Sequence, residues 1–246
     1  GKTALSIELA KKIDGEIVSC DSMQIYKDMN IGTAKPTKKE MGGIKHYLLD
    51  YVSPTQRYSV ADYKADAKEA IKEILDKGKV PIVVGGTGLY VDSLIYEIEY
   101  PNIEFDEEYR AELEKEVRED GLNELYLKAK KIDPIAIEKI SCNDKKRILR
   151  ILEIFKATGK TKTEVEQESR KNEPEYDYKV YALLWDRNKL YNRINSRVDI
   201  MMKQGLIDEV KNILNKYDTF PTAMQGLGYK EVVQYLKGEC TKEEMV

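Results

Sequence analysis

The sequence predicts an α/β protein with a parallel sheet at its core and an all-helical insertion. Two short apolar runs, EIVSC at 16–20 and VPIVV at 80–84, each follow a helical period and each end in polar or glycine-rich turns. Helices alternating with strands in this order imply parallel crossovers. Between 101 and 177 strand signals fade and helical periods follow one another.

In chain order, residues 4–13 place Leu5, Leu9 and Ile13 at four-residue spacing, and Ile7 and Ala10 widen that stripe into the apolar face of a helix. EIVSC then reads as a buried strand delivering Asp21 at its carboxyl end. A long polar excursion, DSMQIYKDMNIGTAKPT at 21–37, takes the place of another regular element. Loops of that length are usually functional or disordered. A helix over 62–77, closed by Gly78 at C′, leads into VPIVV and the turn Gly85, Gly86, Thr87 and Gly88. Ligands of such sheets bind at the carboxyl ends of the strands, where both Asp21 and Thr87 are expected.

The insertion reads as helices over 106–120, 122–131, 134–140 behind Asp133 and Pro134, and 144–158 closed by Gly159. VYALLW at 180–185 predicts a returning strand, followed by a long helix with Arg193 and Arg197; the tail from 205 reads as helices broken around Pro221 and Gly226 to Gly228. Three segments result: 1–100 and 178–246 as the two parts of the α/β core, and 101–177 as the insertion.

Composition narrows the function classes. With 41% hydrophobic and 35% charged residues and no low-complexity run, the chain is a folded protein. Its 246 residues suffice for a full-sized core. No stretch approaches a membrane span and no signal peptide opens the sequence, so a cytoplasmic location without membrane association is expected. Cys20, Cys142 and Cys240 lack paired spacing and His46 is the single histidine, which argues against a disulfide framework or a cysteine/histidine zinc site. A net charge of −3 means that any nucleic-acid site is a local patch. Gly1, Lys2 and Thr3 read as the middle of a motif, so the true N-terminus is expected to lie upstream.

Several constellations suit phosphate and proton chemistry. Gly1, Lys2 and Thr3 before a helix match the end of GxxxxGK[ST], whose amides and lysine hold phosphates while its hydroxyl ligates Mg²⁺; an ordinary helix N-terminus explains the tripeptide equally well. Asp21 suits a base or a metal-linked role, and equally a turn cap. GGTGLY at 85–90 allows close backbone approach and projects Thr87 into the same cleft, though a tight strand-to-helix turn needs no ligand. Lys146, Arg147 and Arg150 share a helix with a stripe of Ile148, Leu149, Ile151, Leu152 and Ile154; the cations form a solvated face or a phosphate-binding one. Arg193 and Arg197, at i and i+4, suit a diphosphate or local acids such as Asp199.

Together, GKT at 1–3, DSMQIYKDMNIGTAKPT at 21–37, GGTGLY at 85–90, NDKKRILRILEIFKATGK at 143–160 and MQGLGYKE at 224–231 closely resemble the bacterial tRNA isopentenyltransferase family, the tRNA dimethylallyltransferases. The resemblance spans essentially the whole chain, and the 21–37 segment is its most specific part. It implies a P-loop NTPase-like core whose phosphate loop holds a prenyl diphosphate with Mg²⁺, where kinase relatives hold ATP. The implied reaction moves a dimethylallyl group from dimethylallyl diphosphate to the exocyclic amine of the adenosine 3′ of the anticodon, in tRNAs reading codons that begin with U.

Carried over by motif, Asp21 and Thr87 are implied as catalytic, Gly1, Lys2, Thr3 and Arg197 as diphosphate-binding, and Thr3 as the metal ligand. The implied tRNA contacts are Asp21, Ser22, Met23, Gln24, Thr87, Arg110, the run Lys146, Arg147, Ile148, Leu149 and Arg150, and the run Met224, Gln225, Gly226, Leu227, Gly228 and Tyr229. The partners implied are the tRNA anticodon stem-loop and the prenyl donor, with the protein a monomer. The first part of the family's phosphate loop and its basic region beyond Val246 are absent from the sequence, and His46 receives no catalytic role.

An adenine amine is a poor nucleophile because its lone pair is delocalised, so a carboxylate that takes its proton during bond formation is valuable. A small-molecule P-loop kinase also fits GKT and a strand-end aspartate, but leaves 21–37 and the basic helix without a use. A prenyltransferase acting on free adenine nucleotides shares the donor site, and a non-catalytic RNA-binding protein needs the basic helix but neither Asp21 nor Thr87.

Overall fold

The computed structural model describes residues 1–100, 106–170 and 172–246, in two compact units: Gly1–Leu94 with Asp177–Val246, and Ile95–Tyr176. The boundary expected at 101 falls outside the described residues.

The first unit opens with α1 (Lys2–Ile13), β1 (Gly15–Cys20), α2 (Lys38–Met41), β2 (His46–Tyr47), α3 (Val60–Asp76), β3 (Val80–Gly85) and α4 (Gly88–Ile95). The strands form a parallel sheet in the order β2-β1-β3, with Ile17 opposite His46 and Cys20 opposite Gly85. Successive strand residues point to opposite faces, yet all six residues of β1 are buried, so both faces of the central strand are covered. Ile17, Ile82 and Val84 meet Ile7 and Ala10 of α1. The helix α3 begins at a capping box in which Ser59 Oγ accepts the Asp62 N–H and the Asp62 carboxylate accepts the Ser59 N–H. Its buried stripe is Tyr63, Ala67, Ala70, Ile71 and Ile74.

The second unit is helical: α5 (Glu107–Glu119), α6 (Leu122–Ile132), α7 (Pro134–Ile137), α8 (Lys145–Thr158) and α9 (Lys162–Glu168). Leu113, Leu125, Ala129, Ile137, Ile148, Leu149 and Leu152 make its core. The expected helix over 134–140 stops at Ile137 and continues as turns.

The chain then supplies α10 (Arg187–Gln204), α11 (Leu206–Lys216), a 3₁₀ turn (Ala223–Gln225), α12 (Tyr229–Leu236) and α13 (Lys242–Met245) to the first unit. The returning strand expected at 180–185 does not form: among the described residues this run has no ladder partner, and Leu184 is 93% exposed. A strand exists only through pairing, and an apolar run does not specify a free edge within reach. The 21–37 excursion, by contrast, is packed: its Ile25, Tyr26 and Met29 are fully buried with Val210 and Ile213 of α11 and Tyr229 and Val232 of α12.

Asp133 joins two short helices of the helical unit. Its Oδ1 accepts the Ala136 N–H at 2.9 Å and the Thr163 hydroxyl at 2.7 Å, and its Oδ2 accepts the Thr163 N–H at 2.8 Å. Burial pushes this carboxyl up, but those hydrogen bonds outweigh it and hold the group below the ordinary aspartate value of 3.8. The Asp133→Ala protein should therefore lose about 2–4 kcal/mol in a urea melt. Because the folded-state value is depressed, the contribution is complete above the unfolded value and lost as pH falls through the folded one. The gap between parent and variant should narrow in acid, as melts at pH 7 and pH 3 will show.

Candidate active site

The carboxyl ends of β1 and β3 approach so closely that a side chain at Gly85 would stand 1.8 Å from Cys20 O. Past this point the chain turns back on the same carbonyl: the Gly86 and Thr87 N–H groups donate to Cys20 O at 3.1 and 3.2 Å. Thr87 Oγ1 then accepts the Ser22 N–H at 3.0 Å and donates to Ser22 Oγ at 3.3 Å. The two strand ends are thus stitched together immediately beside Asp21.

Asp21 holds an Asx-type turn. Its Oδ1 accepts the Met23 N–H at 2.9 Å and the Gln24 N–H at 3.2 Å. Among the described residues Oδ2 has no hydrogen-bond partner. One oxygen is fixed by backbone donors and the other is left to meet a ligand, so the turn-capping and proton-accepting roles weighed from the sequence are compatible. Cys20 beside it is inert: burial pushes its thiol up to about 11.

Phosphate-binding candidates border this edge. Lys2 Nζ lies 3.6 Å from where a side chain on Gly86 would begin, and Arg193 Nη2 lies 3.8 Å from the equivalent point on Gly1. The first turn of α1 receives no side-chain cap, which leaves its N–H groups and the helix dipole toward the same space. Arg193 stacks on Trp185 with its guanidinium carbon 4.5 Å from the ring centre. Arg197 is exposed, and neither arginine pairs with Asp199 among the described residues. Thr3 is exposed too. No group of three histidine, cysteine, aspartate or glutamate side chains is placed to hold a metal ion among the described residues. A hydroxyl plus substrate phosphates is nonetheless a donor set that suits Mg²⁺, which keeps several waters and takes few protein ligands.

The 224–229 segment adjoins the 21–24 turn. A side chain at Gly226 would stand 2.6 Å from Met23 Sδ. Gln225 and Leu227 project outward, Leu227 being 81% exposed, whereas Met224 and Tyr229 are buried in the core. Burial and its hydrogen bond to Glu209 push the Tyr229 hydroxyl well above the ordinary tyrosine range. Its side chain therefore packs in the core beneath the exposed Gln225 and Leu227.

Three anchors of the 21–37 excursion escaped the sequence reading. Lys35 Nζ donates to Tyr26 O and Asp50 Oδ1, both at 2.7 Å. Asp28 Oδ2 accepts from Lys216 Nζ and the Tyr217 hydroxyl, both at 2.7 Å, which holds its carboxyl below the usual range. Glu209 accepts from three consecutive loop amides, Asn30, Ile31 and Gly32, at 3.0, 2.8 and 3.2 Å. The contacts of Asp28 and Glu209 join residues 177 to 189 apart in sequence, those of Lys35 span 9 and 15 residues, and no local motif marks any of them; only the acidic first turn of α11 hints at Glu209.

In the helical unit, α8 carries the cations expected on one face. Arg147 is 70% exposed and pairs loosely with Asp144 at 3.4 Å, Arg150 is 46% exposed at 3.4 Å from Glu153, and Lys146 is exposed. Arg110 of α5 is more committed, at 2.7 Å from Glu153 and 3.2 Å from Glu114. Ile148 and Leu149 are fully buried, so their side chains hold the helix in place and face no ligand.

Comparison with known proteins places this geometry in a family. The IPP transferase family profile matches residues 24–246. The tRNA dimethylallyltransferase of Acetivibrio thermocellus is 51% identical over 247 residues, covering all of this chain and 79% of that protein, and that of Carboxydothermus hydrogenoformans is 48% identical with the same coverage. Among solved structures, the tRNA isopentenylpyrophosphate transferase of Bacillus halodurans superimposes with a TM-score of 0.70 at 42% identity, covering all of this chain and 76% of that one. A eukaryotic dimethylallyltransferase acting on tRNA gives 0.79 at 31% identity, with all of this chain and 63% of that one covered. No helix among the described residues is long and apolar enough to cross a membrane. A parallel α/β core of the P-loop kind with a helical insertion, matched along its full length to these enzymes, makes the chain a member of the IPP transferase family.

Proposed function

We propose that the protein transfers a dimethylallyl group from dimethylallyl diphosphate to the exocyclic amine of the adenosine 3′ of the anticodon, in tRNAs reading codons that begin with U, giving isopentenyladenosine and diphosphate. The observation that carries the chemistry is Asp21, with Oδ1 fixed by two backbone N–H groups and Oδ2 free at the strand edge beside Thr87. As the amine nitrogen bonds to the first carbon of the prenyl group, that carbon's bond to diphosphate oxygen breaks. Asp21 takes the amine proton, which keeps the nitrogen's electron pair available to the new bond.

The leaving diphosphate gathers charge, and Lys2, the open N–H groups of α1 and Arg193 or Arg197 are cationic or dipolar partners for it. Mg²⁺ would be held by the Thr3 hydroxyl together with diphosphate oxygens, supplying further charge neutralisation. Thr87 acts through Ser22, fixing the turn that presents Asp21. The acceptor base has to leave its stack to reach this edge. The exposed Leu227 and Gln225, packed next to Met23 through Gly226, suit contact with the unstacked anticodon loop. Lys146, Arg147 and Arg150 suit the phosphates of the stem-loop. The protein works as a monomer in the cytoplasm, where its tRNA substrate is found.

Labelled dimethylallyl diphosphate offered with tRNA, with free AMP, or alone should label tRNA only; label in AMP and none in tRNA would overturn the reading. Asp21→Ala should lower the single-turnover rate by about 10²–10⁴-fold with tRNA affinity nearly intact. A large loss of affinity with normal single-turnover chemistry would remove Asp21 from the role of base. Replacing Arg147 and Arg150 together by alanine should weaken tRNA binding and reduce the log–log salt slope by roughly one per arginine, as titrations between 50 and 200 mM salt will reveal.

A further inference from the structure

We infer that Glu209 is a positioning residue for this reaction, a single carboxylate that sets the acceptor-side edge of the site. Besides the Asn30, Ile31 and Gly32 N–H groups, its Oε1 accepts the Tyr229 hydroxyl at 2.6 Å. Two segments that are 177 to 179 residues and 20 residues from Glu209 therefore converge on one side chain. Gly32 leaves no alternative packing there: a side chain at position 32 would stand 2.4 Å from the Tyr229 ring.

The connection to the reacting group runs entirely through hydrogen bonds of the first unit. Held by Glu209, residues 30–35 close a compact turn, with Ala34 N–H on Ile31 O and Lys35 N–H on Asn30 O, both at 2.9 Å. That turn presents the Thr33 and Ala34 carbonyls to Gln24 Nε2, at 3.0 and 3.4 Å. The Gln24 backbone N–H in turn donates to Asp21 Oδ1. On its other side Glu209 fixes Tyr229, which ends the loop carrying Gln225 and Leu227. One carboxylate thus sets the spacing between the base and the outward-facing residues beside it. Charge-assisted hydrogen bonds to three successive amides are stronger than neutral ones, and losing their acceptor leaves the part-buried Ile31 and Gly32 donors without it. Arg193 and Lys2, at the donor edge, make no hydrogen bond to this network among the described residues.

The inference rests on the acceptor site proposed above, and the experiment separates the two. Parent, Glu209→Ala, Glu209→Gln, Tyr229→Phe and Asp21→Asn proteins are compared in single-turnover transfer to tRNA, in equilibrium binding of dimethylallyl diphosphate, and in amide hydrogen exchange of residues 30–32. Glu209→Ala should slow transfer by about 10²-fold, the cost of a misplacement near 1 Å, with donor affinity within about twofold of the parent and with faster exchange at the three amides. Glu209→Gln, which retains one acceptor oxygen, should recover part of the rate. Tyr229→Phe, which keeps the ring in the core, should show a smaller loss of the same kind. Transfer within about threefold of the parent in Glu209→Ala, or a donor affinity that falls as far as the rate does, would overturn the positioning role. If Asp21→Asn transfers at the parent rate while Glu209→Ala is slow, the base assignment fails and the positioning role stands.

Discussion

The contact between the ends of β1 and β3 is the constraint on which the site depends. Parallel strands normally diverge into their own crossovers, but here Cys20 O accepts two N–H groups from the turn after β3, and Gly85 is the residue that lets the backbones meet. The register Cys20 opposite Gly85 puts Asp21 and Thr87 one and two residues beyond the sheet on adjacent strands. Shifting that register by one residue would turn every side chain of β3 to the other face. The buried faces of β1 resist such a slip, because Ile17, Ile82 and Val84 would leave their contacts with α1. Sheet packing and the placement of the Asp21 carboxylate are therefore one problem with one solution.

Beyond that edge the chain runs from 21 to 37 without a regular strand or helix, and among the described residues only around Gln24–Lys27 does its backbone pair with another segment, Asp50–Val52. Buried amides without acceptors would cost about 1–3 kcal/mol each. Charged side chains supply the missing partners: Asp21 and Glu209 accept five loop N–H groups between them, while the buried Lys35 donates to the carbonyl of Tyr26. Apolar anchors Ile25, Tyr26 and Met29 provide the burial that makes the loop a packed element. A loop packed in this way holds the Asp21 carboxylate in one geometry, which is what the proposed role of base requires.

What could be read in the sequence follows the range of each interaction. The helical and strand periods of α1, β1, α3, β3 and α8 are local, and so are the signals at Asp133 and Gly159; these were legible, as was the buried stripe through Ile148 and Leu149, whereas the Ser59 cap that starts α3 two residues before the expected 62 was not read. The run at 180–185 has the apolar signature of a strand and no pairing edge, so composition alone misassigned it. Glu209 and Asp28 look like ordinary surface-helix or loop residues until partners roughly 20 to 190 residues away are brought beside them, and the tie of Tyr229 to Glu209 is equally invisible in its motif. Asp21 was recognisable by its strand end, but the division of labour between its two oxygens required the turn itself.

Charge in the helical unit follows a different logic from charge in the loop. The side chain of Glu153 is only 9% exposed and is shared by Arg110 and Arg150, so breaking its contact with Arg110 would strand a largely desolvated carboxylate. The pair that Arg147 makes with Asp144 is long and open to solvent, and exposed pairs of this kind are worth about 0–1 kcal/mol, whereas Arg150 pairs at 3.4 Å with the same largely buried Glu153. Exchange of the Asp144 pair for another anion therefore costs Arg147 little, whereas Arg110 is tied at 2.7 Å to Glu153, between α5 and α8. In a chain of net charge −3, selectivity for a polyanion cannot come from the overall field. A local patch is the alternative, and Lys146 and Arg147 of α8 are exposed cations.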